Sequence, residues 1–506
     1  LRSHGTAGKR GRALGIVAAA LAAILGLGAC TADTTGDETR SLTIRAGMIP
    51  GSWDPVRTLA LGEPAQAVYE PLIMASAIGI EYIPWLAESF ETSDDRLTFT
   101  MEIRENVDFT DGTHLDAAAV ADFFATYLEV NAASPLVVQY GAVFTAVDEY
   151  TVEVTTTTPI DFIWYDHLSV IWIVSPDAAR DPEALAEKPV GTGPYLVDEY
   201  TPEVSVSFVR NPEYWNPEGY DFDEVTFQFY ADELAALNAL KSGQIDATSL
   251  TQIPLAVEAE AAGFDLFQGR GQYPSLFIID RLGEVQPALA DKRVRQAMNM
   301  AFDREAINES LNLGRGYVSS QPFIEGEPYY VEGGDDRYPY DPERARELMA
   351  EAGYADGFDI TIPTMATYTK PYEPILQQSL ADIGIRVTYE MFPDAEAVKL
   401  LTELWPSEKY PVAAYGFVHG PGIGWIDYFW GGYKTEEGLA LIDTVRNGTL
   451  DESLEAEKEL GEYILDEAWF VPFSDPPAYV AARSGIEVDV RGALVVPKLY
   501  QYTLAE

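Results

Sequence analysis

The sequence predicts an α/β protein built as two lobes, the first of them discontinuous and joined to the second by two chain crossings. Three observations predict it. At 506 residues the chain exceeds what one hydrophobic core usually serves, so at least two lobes are expected. Its first half alternates short strands with turn clusters, whereas the stretch from about Gln286 to Met391 interleaves capped helices with strands. The final segment, Ile486 to Tyr502, returns to short β-like pieces such as Ala493-Leu494-Val495-Val496.

The β-rich half carries the two-residue period of half-buried sheet. Leu97, Phe99, Met101 and Ile103 face one way while Thr98, Thr100 and Glu102 face the other; Val204, Val206 and Phe208 repeat the pattern, as do Val225, Phe227 and Phe229. A helix from Asp232 to Ser242 is expected to bury Leu234, Leu237 and Leu240 and to stop at Gly243. In the α/β stretch, Asp341 can cap a helix whose first residue is Pro342, whose core stripe is Ala345, Leu348, Met349 and Ala352, and whose end is Gly353. Asp291 likewise precedes Val294, Ala297, Met298 and Ala301 at helical spacing. A strand at Phe358, Ile360 and Ile362, a helix ending at Ile383-Gly384, and a strand at Ile385, Val387, Tyr389 and Met391 form a βαβ unit. Glycine and proline cluster beside apolar strands near Gly269 to Ser275 and near Val471 to Tyr479. These are the expected crossings, and two crossing strands make a hinge.

The first thirty residues are laid out as a secretory signal. Arg2, Lys9, Arg10 and Arg12 precede an uncharged stretch from Ala13 to Leu27, which at about 15 residues suits a signal core and is too short to span a bilayer. It ends in Leu27-Gly28-Ala29-Cys30, which resembles a bacterial lipobox. Cys30 is the only cysteine, so no disulfide can form within one chain, and a thiol directly after such a stretch is expected to carry lipid. Thr31 to Arg40 then reads as a flexible tether.

The formal net charge is −48, and the signal segment contributes no acid, so its removal makes the rest more acidic still. Such a surface repels phosphate backbones and anionic headgroups, which excludes nucleic acid as a partner. With 47% hydrophobic and 12% aromatic residues the composition is that of a folded protein.

Chemistry of the enzyme kind has little support. His114, His167 and His419 are far apart, with no His-Glu-x-x-His and no cysteine pair, so no zinc ligand set is expected. There is no Gly-x-Ser-x-Gly elbow and no phosphate loop, and Gly191-Thr192-Gly193 and Gly420-Pro421-Gly422-Ile423-Gly424 lack Rossmann spacing. No metal or cofactor is expected. A secreted hydrolase remains the alternative of another class, because acid pairs can be found anywhere among 81 carboxylates.

Eight sequence words, in order, resemble the peptide/nickel/opine family of importer-associated substrate-binding proteins. They begin with Tyr69-Glu70-Pro71-Leu72, Ile83-Pro84-Trp85-Leu86-Ala87-Glu88-Ser89-Phe90, and Ile103-Arg104-Glu105-Asn106-Val107-Asp108-Phe109-Thr110-Asp111-Gly112-Thr113. Gly191-Thr192-Gly193-Pro194-Tyr195, Arg210-Asn211-Pro212-Glu213-Tyr214-Trp215 and Gly243-Gln244-Ile245-Asp246 follow. Asp291 to Ile307 and Tyr340 to Tyr354 complete the set. Most of these residues are expected in folding roles, with Arg293, Arg295, Asp303 and Arg304 on a solvated or salt-bridged helix face.

The resemblance implies a two-lobed, periplasmic-binding-protein-like α/β fold of the large three-subdomain type. Lobe I would comprise 41–272 and 479–506, with an extra subdomain at about 70–188, and lobe II 273–478, after a signal at 1–29 and a tether at 30–40. It implies a monomeric, lipid-anchored receptor on the outer face of the cell membrane, which captures a solute and delivers it to the permease subunits of an ABC importer.

The family places solute contacts on a loop of the second lobe that usually reads Gly-Trp followed by an acidic, Pro-containing stretch. The matching region is Ala414 to Asp427, with Phe417 where the Trp is usual and no acid between Val418 and Trp425. A buried ammonium that loses its acidic partner costs roughly 2–5 kcal/mol, so Asp427 is the substitute this loop offers. The aromatic crowding around Trp425 suits a flat or sugar-like face. The candidate ligand-binding residues are Trp53, Tyr273, Phe417, His419, Trp425 and Asp427. An oligopeptide is the solute the resemblance implies by default; an oligosaccharide or other non-peptide solute is the alternative within the same transport role.

Overall fold

The computed structural model describes residues 39–505 apart from 59–60, 76–81, 366–369, 394–395, 397–408, 418–434 and 491–495, and without the side chains of 162, 163, 417 and 450. The first strand, Ser41–Ala46, buries Leu42, Ile44 and Ala46 on alternate positions and pairs in parallel with both Glu224–Phe229 and Ala247–Leu250. It lies in a seven-stranded mixed sheet whose order is Asp265–Arg270, Pro477–Ala482, Ala247–Leu250, Ser41–Ala46, Glu224–Phe229, Ser205–Arg210, Tyr195–Thr201. Pro477–Ala482 is thus a late segment inserted between two early strands, and all its residues are buried, as a strand covered on both faces requires.

The expected alternation holds in the strand interiors and fails at the ends. Phe99, Met101 and Ile103 are buried in Thr98–Ile103, part of a four-stranded antiparallel sheet ordered Ala87–Thr92, Thr98–Ile103, Thr151–Thr155, Val143–Ala146. Val206, Phe208, Val225 and Phe227 are buried, but Val204 precedes its strand and Phe229 closes one, and both are exposed. The helix Glu233–Lys241 has Asp232 as its N-cap, accepting from Ala235 N–H at 2.7 Å, and buries Leu237 and Leu240. Leu234, expected inside, is exposed; Ala236 and Ala239 are buried instead, because this helix packs closely on the helix Ile253–Ala261 and the sheet, where small side chains fit.

The second sheet has three antiparallel strands, with Tyr273–Ile278 between Val412–Phe417 and Phe470–Pro472. Around it lie Lys292–Met300 and Pro342–Glu351, N-capped by Asp291 and Asp341, and the parallel pair Phe358–Met365 and Ile385–Phe392, connected through Glu373–Asp382 as a βαβ unit. On its other side Glu436–Asn447 and Leu450–Asp466 form a helix pair, the latter starting at a capping box of Thr449 and Glu452. Among the described residues no helix is long and apolar enough to cross a membrane.

Two of the arginines expected on a solvated face are buried. Arg293 is half-buried and bridges Asp291 at 2.6 Å, but Arg295 and Arg304 lie inside. Arg295 pairs with Glu467 at 2.5 Å and donates to the Leu289 carbonyl at 2.8 Å. Arg304 donates to the carbonyls of Pro472 at 2.7 Å and Tyr338 at 3.0 Å and to Asn299 Oδ1 at 3.0 Å, while Asn299 donates to Phe470 O at 2.8 Å. These side chains serve to satisfy buried backbone carbonyls around the strand Phe470–Pro472, a task that helical spacing alone does not reveal.

One carboxylate binds four of the sequence words together. Glu70 is fully buried and accepts from Trp85 Nε1 at 2.8 Å, Thr192 Oγ1 at 2.8 Å, Tyr214 Oη at 2.7 Å and Trp215 Nε1 at 3.1 Å. Burial raises its pKa and the four donors oppose that rise.

Candidate ligand-binding site

The parallel strands Ser41–Ala46, Glu224–Phe229 and Ala247–Leu250 point their carboxyl ends to one edge of the seven-stranded sheet. Open α/β sheets bind ligands outside such ends. A cavity of about 390 Å³ lies there, lined by Arg45 in the first strand and Gly47 just after it, Phe227 from the second, and Ser249 in the third and Thr251 just after it. Arg270, Gly271 and Gln272 line it from the chain that leaves this sheet, and Ala478, Val496 and Tyr502 from the chain that returns. A second cavity of about 410 Å³ shares Gly47, Glu63, Gln66 and Val496 with the first and adds Met48, Trp172 and Lys498. Each has the size of a small-solute site, roughly 300–1,000 Å³.

The walls carry both signs of charge with capacity to spare. Glu63 is half-buried, and its carboxylate accepts the Gly47 N–H at 3.3 Å and no other hydrogen bond among the described residues. A carboxylate can accept about four. Arg45 reaches the Ser249 carbonyl through Nη1 at 3.4 Å, while its buried Nε has no protein partner among the described residues. Glu233 is already engaged, accepting from Thr251 N at 3.1 Å, Thr251 Oγ1 at 2.6 Å and Gln252 N at 3.0 Å.

The cavity adjoins the place where the chain passes between the two sheets. Strand Asp265–Arg270 belongs to the seven-stranded sheet and Tyr273–Ile278 to the three-stranded one; Phe470–Pro472 and Pro477–Ala482 make the return. The two passages lie side by side. Gly271 N donates to Pro476 O at 3.1 Å and Phe473 N to Pro274 O at 3.2 Å. A Cβ at Gly271 would stand 2.9 Å from the Pro476 oxygen, so only glycine allows this approach. Arg270 Nη1 pairs with Asp475 Oδ2 at 2.5 Å and its guanidinium stacks on Tyr317.

Two of the sequence-nominated residues are neighbours beside this passage, and Tyr273 lines neither cavity. Tyr273 and Phe417 are register partners in the three-stranded sheet, and a Cβ on Gly416 would be 3.1 Å from Gln272 Oε1, so the strand leading to residue 418 passes the cavity wall. The Tyr273 ring is buried, and burial together with Glu327 and Asp475 raises its pKa far above the usual tyrosine value. Trp53 lies in the core, edge-on to Tyr200 at 5.7 Å and Phe208 at 6.2 Å, and lines neither cavity. His419, Trp425, Asp427 and Cys30 lie outside the described residues. Arg45, Glu63, Gln66 and Gln272 escaped the sequence reading. The usable signal was the apolar alternation of Leu42, Ile44 and Ala46 ending at Gly47, because a strand's carboxyl end is where such sheets bind.

Comparison with known proteins bears on this geometry. The family model described as "Bacterial extracellular solute-binding proteins, family 5 Middle" matches residues 81–435. Di/tripeptide-binding protein 1 of Pseudomonas aeruginosa is 27% identical over 399 residues, 67% of this chain and 70% of that protein. A glutathione-binding protein of Escherichia coli is 29% identical over 313 residues, 60% of this chain and 59% of that one. The fold superimposes on NikA from Brucella suis, solved in complex with Fe(III)-EDTA, with a TM-score of 0.77 at 22% identity, covering 92% of this chain and 100% of that one.

Proposed function

The chain belongs to the bacterial extracellular solute-binding proteins of family 5, and from that premise we propose that it is the receptor of an ATP-driven importer, binding a small zwitterionic solute, a short peptide in the first instance. Members of this family are extracytoplasmic binding proteins rather than enzymes. The solute sits in the cavity at the carboxyl ends of the parallel strands and is handed on to the permease. The observation that carries the ligand class is that one cavity is lined both by Glu63 and by Arg45, the first with acceptor capacity and the second with an Nε that no described residue uses. An α-ammonium suits the first and an α-carboxylate the second. Relatives named for di/tripeptides and glutathione support the same class.

The sheet membership supports lobe I at 41–272, its extra subdomain at about 70–188 holding the four-stranded sheet, and lobe II from 273, with the return to lobe I at Pro477, where its strand begins, rather than at 479. The passages at Arg270–Tyr273 and Pro472–Pro477 serve as the hinge, and Cys30 as the lipid attachment. Cys30→Ala is expected to abolish lipid labelling; unchanged labelling refutes the anchor.

Calorimetry with one dipeptide in free and N-acetylated form tests the ligand class, with an oligosaccharide panel alongside. The free peptide is expected to bind at least tenfold tighter, and Glu63→Gln to remove the difference. Equal affinities defeat the Glu63 assignment. Loss of the difference in Asp427→Asn instead moves the ammonium partner to the loop, and binding of saccharides alone replaces the peptide reading.

A further inference from the structure

Arg96 stands at the tip of the hairpin between Ala87–Thr92 and Thr98–Ile103, with φ of 56°, a left-handed conformation uncommon for a side-chain-bearing residue. The turn holds it there. Arg96 N donates to Ser93 O at 2.8 Å, Ile160 N donates to Arg96 O at 2.8 Å, and the Asp95 carboxylate accepts Ser93 Oγ at 2.7 Å and Leu97 N at 3.1 Å. The side chain leaves the four-stranded sheet and is buried. Its Nη1 donates to Val445 O at 3.4 Å and its Nη2 to Arg446 O, across 350 positions of sequence. Both carbonyls belong to the last turn of Glu436–Asn447, where the helix itself offers them no N–H and carries the negative end of its dipole; Val445 O also accepts Ser453 Oγ at 2.7 Å. Two buried acids attract the same guanidinium, Asp161 beside the hairpin and Glu457 on Leu450–Asp466. Tyr140 donates to Asp161 and Tyr329 to Glu457.

We propose that Arg96 is a latch, capping the helix Glu436–Asn447 from the four-stranded sheet and setting how readily that sheet parts from the helix pair Glu436–Asn447 and Leu450–Asp466. The chemistry suits a contact that must break and re-form. Desolvation offsets much of what these charge-assisted hydrogen bonds contribute, so the contact can break and re-form, yet removing the guanidinium alone leaves its buried carbonyl and carboxylate partners uncompensated and so destabilises the docked form. The hairpin's left-handed backbone points to the same use, since such strain persists where the surroundings impose it. The proposal rests on the receptor reading only for what the latch serves, the opening and closing around a solute.

Pulsed electron resonance between spin labels on Glu91→Cys and Leu439→Cys, in the full chain with Cys30→Ser, reads the separation of the two parts directly. Without added solute, Arg96→Met is expected to raise the ratio of separated to docked molecules at least tenfold. Arg96→Lys, whose compact ammonium cannot fork between two carbonyls, should raise it less. Distances in both variants that match those of Arg96, or are shorter, overturn the latch. Circular dichroism identifies misfolding; should Arg96→Met misfold, Arg96→Lys alone decides. A receptor whose distances ignore every solute contradicts the receptor reading and leaves the comparison among residues at position 96 intact.

Discussion

Arg270 and Asp475 form an ion pair, Nη1 to Oδ2 at 2.5 Å, between the chain that leaves the seven-stranded sheet and the chain that returns to it. Asp475 is nearly buried and Arg270 also lines the cavity, so one contact joins the passage between the sheets to the proposed solute site.

Arg270→Met leaves a buried carboxylate without its guanidinium. A loss of about 2–4 kcal/mol in unfolding free energy is expected, with a coupling of at least about 1 kcal/mol in a double-mutant cycle with Asp475→Asn. Peptide affinity should fall in the same variant. Urea titration and calorimetry check the two effects, and unaltered stability would show the pair to be incidental.

Glu70→Gln probes the carboxylate that binds four sequence words. The carboxamide presents an N–H group where four donors converge, so at least one buried donor loses its acceptor. The expected loss is about 1–3 kcal/mol, visible as a lower Tm with the solute site unchanged. A Tm equal to wild type would mean that the cluster rearranges without cost.

Glu457 gives the stability a pH dependence. Burial raises its pKa from 4.5 to about 7, opposed by the hydrogen bond from Tyr329 and the charge of Arg96. The folded state then holds the proton more tightly than the unfolded state, so this contribution is full below about pH 4.5 and is lost as pH rises through about 7. The loss is on the order of 3 kcal/mol, and Glu457→Gln should remove that part of the slope between pH 5 and 8 in thermal melts.

Local rules made much of the fold legible. Asp232, Asp291 and Asp341 cap the helices that follow them, and glycine and proline near Gly271 and Pro476 mark the passages between sheets. The misreadings arose where tertiary neighbours decide. Leu234 lies exposed because alanines fit the close helix contact, and Arg295 and Arg304 are buried because the distant carbonyls of Glu467 and Pro472 needed donors. The cavity was harder still. Arg45 on a parallel strand, Glu63 on the 3-10 turn Glu63–Ala67 and Gln272 on the chain between the two sheets line one cavity only through tertiary packing, which no local pattern reveals.

The most direct test of the receptor account is native mass spectrometry of the purified chain before and after incubation with a mixture of short peptides. The account predicts a one-to-one, non-covalent complex that releases its peptide at unchanged mass on denaturation, and whose yield falls in Glu63→Gln and Arg45→Met. Peptides returned cleaved, or a chain that retains none of them at saturating concentration, would contradict it.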